Sequence, residues 1–120
     1  METKCRAAVF HKVGDPISME HFKIPQCLEP GAALCRVRMS TICGSDLHTI
    51  CGRREEPTPI ILGHEVIGDI VALGAGQDSD GFGDKLKVGD RVTWPVIASC
   101  GSSSSCFFCE RQLPQKCAHL

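Results

Sequence analysis

The chain has 120 residues, with 13 Lys plus Arg against 14 Asp plus Glu and a formal net charge of -1, so it forms one domain at most, with room for a modest core. No basic run is present that would neutralise a row of phosphates, which argues against nucleic acid as a partner. No apolar stretch approaches the roughly 20 residues that cross a bilayer, and the polar start Met1-Glu2-Thr3-Lys4-Cys5-Arg6 has no export-type apolar run. A soluble, cytoplasmic domain with no membrane partner is expected.

The predicted elements are short strands joined by turns. Arg6 to Phe10 is an Ala/Val/Phe run, and Ile17, Met19, Phe22 and Ile24 mark a second extended piece beyond Gly14-Asp15-Pro16, so the two predict a hairpin or meander. Cys35, Val37 and Met39 alternate with Arg36, Arg38 and Ser40, which predicts a strand with one buried and one wet face. Ser45 to Ile50 predicts a single helical turn capped by Ser45. Glu65 to Leu73 reads as a strand in which Gly68 marks a bulge or a close approach, and Gly74 and Gly76 end it. Gln77 to Asp84 is an Asp- and Gly-rich loop, and Leu86 to Asp90 a turn launching Arg91-Val92-Thr93-Trp94; Pro95 places that strand at an edge or bulge. The fold class expected is mostly β.

Nine cysteines are an odd number in a chain with no visible export signal, so a reducing compartment and metal binding explain them better than disulfides do. Two groups have the residue types of zinc sites. Cys43-Gly44-Ser45-Asp46-Leu47-His48 followed by Gly63-His64-Glu65 offers Cys43 and His64, while Cys100, Cys106, Cys109 and Cys117 offer four thiols. Zinc takes thiolate and imidazole, closing structural sites with about four ligands and leaving catalytic ones with about three and an open position. Cys5, Cys27, Cys35 and Cys51 read as plain thiols, and His11, His21 and His119 have no partner pattern.

Those motifs, with Gly89-Asp90-Arg91-Val92 and Cys106-x2-Cys109-x7-Cys117, stand in the order found in zinc-dependent medium-chain alcohol dehydrogenases, and the chain resembles that family from residue 5 to residue 120. The resemblance implies a GroES-like, partly open β-barrel spanning residues 1–120, with a cysteine-rich zinc lobe at about 98–120. It implies Cys43 and His64 as ligands of a catalytic zinc that supplies Lewis acidity, and Cys100, Cys106, Cys109 and Cys117 as ligands of a structural one. Asp46 would accept a hydrogen bond from the second ring nitrogen of His64. Ser45 would take the proton of a small-molecule alcohol and His48 would relay it to solvent, with hydride passing to NAD(P). Glu65 would hydrogen-bond near the metal or approach it, and Gly63 would keep the backbone close. Leu47-His48-Thr49, Gly52-Arg53-Arg54 and Leu113 to Cys117 are similar to the subgroup associated with phosphonate catabolism.

Departures from the family pattern carry expectations of their own. Cys100 and Cys106 are spaced C-x5-C where the family has C-x2-C, with Gly101-Ser102-Ser103-Ser104-Ser105 between them. Gly74-Ala75-Gly76 lacks the third glycine of a dinucleotide-binding turn, and neither that Rossmann domain nor the family's further zinc ligand is found in these residues. The chain therefore reads as an N-terminal portion with little turnover alone, whose interdomain surface would be exposed, apolar and prone to self-association. The alternative is a noncatalytic zinc-binding GroES-like module acting through a partner.

Overall fold

The computed structural model describes residues 3–100 and 106–119. Strands β1 (Lys4–Val9) and β2 (Ser18–Lys23) pair antiparallel from Lys4↔Lys23 to Val9↔Ser18. The hairpin turn uses Gly14 at φ +88°, a backbone region that a Cβ disfavours. The predicted hairpin is therefore present, and Phe10 extends it by bridging to Ile60.

A second, three-stranded antiparallel sheet has the order β3 (Ala33–Ser40), β4 (Val66–Leu73), β5 (Arg91–Thr93). Two register shifts bend the β3–β4 pair, between Leu34 and Cys35 and between Val37 and Met39. Gly68 sits between them, opposite Val37, where a Cβ would lie 3.0 Å from the Arg36 carbonyl oxygen. The sequence signal there thus reflects close approach of two backbones, with the neighbouring bulge on the partner strand. Gly74 follows directly on β4, and only glycine fits there because a Cβ would stand 2.2 Å from the Glu29 carbonyl oxygen. β5 is an edge strand, as Pro95 suggests; it stops at Thr93, one residue short of the predicted Trp94.

Asp69 ties the three strands together. Its carboxylate accepts from Arg38 Nε of β3 at 2.6 Å and from Arg91 Nε of β5 at 2.9 Å. The two guanidiniums, Arg91 first, hold its carboxyl at about 2, below the ordinary carboxylate value.

Two expectations need correction. Alternation along β3 gives the strand but not the burial, since Val37 and Met39 are 57% and 63% exposed. Period two requires only that the two faces differ; burial also needs a layer over the apolar face, and among the described residues none packs there. The helical turn exists as α1 (Gly44–Ile50), but its N-cap is Cys43, not Ser45. The cap falls earlier because Asp46 reaches back to accept the Cys43 N–H at 2.9 Å, which fixes the first turn from the acidic side. Two further turns, α2 (Phe107–Glu110) and a 3₁₀ turn at Pro114–Lys116, span about one helical turn each, too short to leave a sequence periodicity.

The buried apolar set is small, comprising Val9, Phe10, Ile70, Cys106 and Cys117 among the described residues. The accessible surface is 9244 Å², whereas a globular monomer of this size exposes about 6,300 Å². Trp94, Val96, Met39, Val37 and Ile67 all contribute apolar area to that excess. No helix among the described residues is long and apolar enough to cross a membrane.

Candidate metal centres

The first centre forms where β3 hands over to α1 beside the start of β4. The Thr41 N–H donates to the Glu65 carbonyl at 3.0 Å. That bond brings the segment leading to Cys43 against the segment carrying His64 and Glu65, although the two are about twenty residues apart in sequence. Gly63 has φ +108° and faces Ser40 so closely that a Cβ would lie 3.1 Å from the Ser40 hydroxyl. A side chain at 63 would therefore be strained in its backbone and would crowd the Ser40 hydroxyl.

In this frame Cys43 Sγ, a His64 ring nitrogen and a Glu65 carboxylate oxygen lie within 4.8 Å of one another. The carboxylate of buried Asp46 approaches His64 Nδ1 at 3.5 Å, while Ser45 Oγ stands 3.4 Å from Nε2 on the other side of the ring. Asp46 thus performs two tasks, capping α1 and facing the ring nitrogen turned away from Ser45. The Cys43 thiol is lowered from its ordinary value, first by the Ser45 hydroxyl, then by the Ser45 N–H and by His64. His48 lies one turn after Ser45 on α1, exposed to solvent. Glu65 is exposed and its carboxylate accepts the Thr41 hydroxyl. A cleft of about 510 Å³ opens on this centre, lined by His64, Glu65, Thr41, Met39, Ile67 and Trp94 among others. Arg54 is paired with Glu56 at 2.6 Å.

The second centre gathers the four lobe cysteines. The sulfurs of Cys100, Cys106, Cys109 and Cys117 all lie within 4.8 Å of one another, with Cys100 to Cys109 at 3.6 Å and Cys106 to Cys117 at 4.0 Å. These separations are far too long for a disulfide of about 2.05 Å, and all nine cysteines are free thiols. A tetrahedron with zinc–sulfur arms of about 2.3 Å has a sulfur–sulfur edge of about 3.8 Å, between the two measured values.

The lobe backbone is also arranged for negative sulfur. The Ala118 N–H donates to Cys106 Sγ at 3.5 Å, while those of Cys100 and His119 donate to Cys117 Sγ at 3.3 and 3.4 Å. Cys106 is lowered to about 6, chiefly by the Ala118 and Cys109 N–H groups, and Cys117 is lowered by Cys100 and His119. Cys109 is pushed up to about 12, by burial first and then by its neighbouring thiols. Four sulfurs this close cannot all ionise without a cation among them, and both donor sets fit zinc by residue type and spacing. Phe107 and Phe108 meet edge to face at 5.5 Å, and Arg111 stacks 3.7 Å over the Phe107 ring, bracing the lobe. The bridge at 101–105 lies outside the described residues; Cys100 nonetheless stands beside the other three sulfurs.

The sequence-predicted residues Cys43, His64, Asp46, Ser45 and Glu65 converge, as do the four lobe cysteines, whereas His48 stays at the solvent edge. Sequence reasoning missed Thr41. Its only local signal is its position two residues before Cys43, and its partner lies 24 residues away.

A small, mostly β domain with two zinc-compatible donor sets defines the class of protein. Residues 29–120 match the alcohol dehydrogenase GroES-like domain, and the chain belongs to that family. Zinc-type alcohol dehydrogenase B of Aspergillus flavus is 34% identical over 116 residues, covering 97% of this chain and 25% of the relative. The structure of an alcohol dehydrogenase from Thermotoga maritima superposes with TM-score 0.77 at 32% identity, covering 96% of this chain and 31% of that one. CAD from Helicobacter pylori, solved in complex with NADP(H), gives TM-score 0.75 at 25% identity over 98% of this chain and 32% of its own. The chain thus spans between a quarter and a third of the length of these relatives.

Proposed function

We propose that the chain forms the N-terminal, zinc-carrying portion of an alcohol dehydrogenase that transfers hydride from a small-molecule alcohol to NAD(P), the nicotinamide being held by a dinucleotide-binding domain outside these residues. The observation that carries the reading is the convergence of Cys43, His64 and Glu65, with Asp46 behind the imidazole and Ser45 beside it. Cys43 and His64 supply two firm donors with the exposed Glu65 carboxylate close by, fewer than the four that close a structural site, so a position is left for substrate as a catalytic site requires. Zinc bound there supplies Lewis acidity toward the alcohol oxygen.

The chain's own residues supply the rest. Asp46 orients His64 and favours the proton on Nδ1, leaving Nε2 free as a donor. Ser45 offers its hydroxyl to the substrate proton, and His48, one turn further along α1, passes that proton to water. Met39, Ile67 and Trp94 give the alcohol an apolar wall. The four lobe thiolates of Cys100, Cys106, Cys109 and Cys117 would hold a second zinc in a structural role. Support for a nicotinamide acceptor is the family membership together with the NADP(H) held by the Helicobacter pylori neighbour.

The test is a chimera in which residues 1–120 replace the matching segment of the Thermotoga maritima enzyme, assayed for reduced nicotinamide formation with a panel of primary and secondary alcohols. Turnover that falls about 100-fold in Ser45→Ala is expected, as for loss of a positioned proton acceptor. A folded, zinc-loaded chimera without turnover, or one indifferent to Ser45→Ala, would contradict the assignment.

A further inference from the structure

We propose that Thr41 is a positioning residue of the Cys43–His64–Glu65 centre, holding the Glu65 carboxylate at the metal. The inference rests on the reading of those three residues as a zinc site and assigns the part played by a residue that contributes no ligand. Glu65 is exposed, and a free glutamate side chain samples several rotamers, so reaching a metal would cost it conformational freedom. Two contacts from Thr41 restrain this residue, one its backbone and one its side chain. Its N–H donates to the Glu65 carbonyl at 3.0 Å, and its hydroxyl donates to Glu65 Oε2.

A β-branched side chain has few χ1 wells, so threonine presents its hydroxyl more rigidly than serine. The carboxylate accepts at about four lone-pair sites, and one bond to Thr41 leaves the others for a cation. In the conformation so held, a Glu65 oxygen is already within 4.8 Å of both Cys43 Sγ and the His64 ring nitrogen. Because Thr41 is two residues before Cys43, the same short segment sets two of the three donors, one through its own thiol and one across the sheet. Thr41 also lines the cleft, at the edge of the proposed alcohol site.

The experiment is a cobalt titration of the chain, with the four-sulfur lobe first filled by one equivalent of zinc. Sulfur-to-cobalt charge-transfer absorption is followed, and the signal is assigned by its loss in Cys43→Ala. Thr41→Val removes the hydroxyl at nearly constant shape and is expected to weaken cobalt binding about tenfold or more, while Thr41→Ser, which keeps it, stays within about threefold of the parent. In a Glu65→Gln background Thr41→Val should cause no further loss, since the hydroxyl acts through the carboxylate. Circular dichroism of each variant checks that the fold is kept. Parent-like cobalt affinity in Thr41→Val would overturn the inference while leaving the zinc reading standing, and so would an equal loss with and without Glu65. A parent chain whose cobalt spectrum is unchanged by Cys43→Ala would overturn both.

Discussion

Asp46→Asn separates two tasks that one buried carboxylate performs. Oδ2 accepts the Cys43 N–H at 2.9 Å and caps α1, while Oδ1 faces His64 Nδ1 at 3.5 Å. Asparagine retains one oxygen, so the cap survives, and the stability change should stay well under the roughly 1 kcal/mol typical of a lost cap. The other position becomes an NH₂ group, which cannot accept from Nδ1. His64 is then driven toward the tautomer protonated at Nε2, the nitrogen beside Ser45 that a metal would need. Removing such a partner of a ligand typically costs about 10- to 100-fold in metal affinity, or about 1.4 to 2.7 kcal/mol. Competition against a chromophoric chelator measures the affinity, and urea unfolding of the metal-free chain measures stability. Asp46→Ala should lose both. An Asp46→Asn chain that binds zinc as the parent does, or one that loses stability as far as Asp46→Ala, would refute the division of labour.

Gly74→Ala should destabilise the fold by about 2 to 4 kcal/mol, combining overpacking with a weakened backbone bond, since its Cβ would meet the Glu29 carbonyl oxygen and Gly74 N–H donates to Ala32 at 2.7 Å; a urea midpoint equal to the parent's would contradict this. Asp69 titrates at about 2 in the fold against an ordinary 3.8. A depressed carboxyl stabilises fully above its unfolded value and loses that contribution as pH falls through the folded one, so the parent should weaken between about pH 4 and about pH 2 more steeply than Asp69→Asn. Parallel urea-midpoint profiles for the two would count against the strand tie. The excess apolar surface predicts self-association; light scattering should give a mass that rises with concentration, and a monomer throughout would contradict it.

The parts of the fold legible in the sequence are those with local causes. Gly14 announces the hairpin turn because a positive φ is needed there, and alternation along 35–40 announces β3 because side chains alternate on any strand. Burial of Val37 and Met39 was not legible, because it depends on whether something packs over the sheet. The cap of α1 was misplaced by two residues because Ser45 has the better capping chemistry in isolation, whereas the decisive contact is Asp46 reaching back to Cys43. Of the candidate site, Cys43 and His64 were readable from residue type and motif order. Thr41 was not, since a hydroxyl meeting a carboxylate 24 residues away, just beyond the ends of β3 and β4, leaves no short-range pattern.

The account depends most directly on two metal centres in one small domain. Zinc per chain, measured by elemental analysis on protein purified without added metal, tests it in the parent and in Cys43→Ala and Cys109→Ala. The account predicts close to two zincs in the parent and a loss of one in each variant. One zinc, lost only in Cys109→Ala, would contradict the catalytic centre, and none would contradict both.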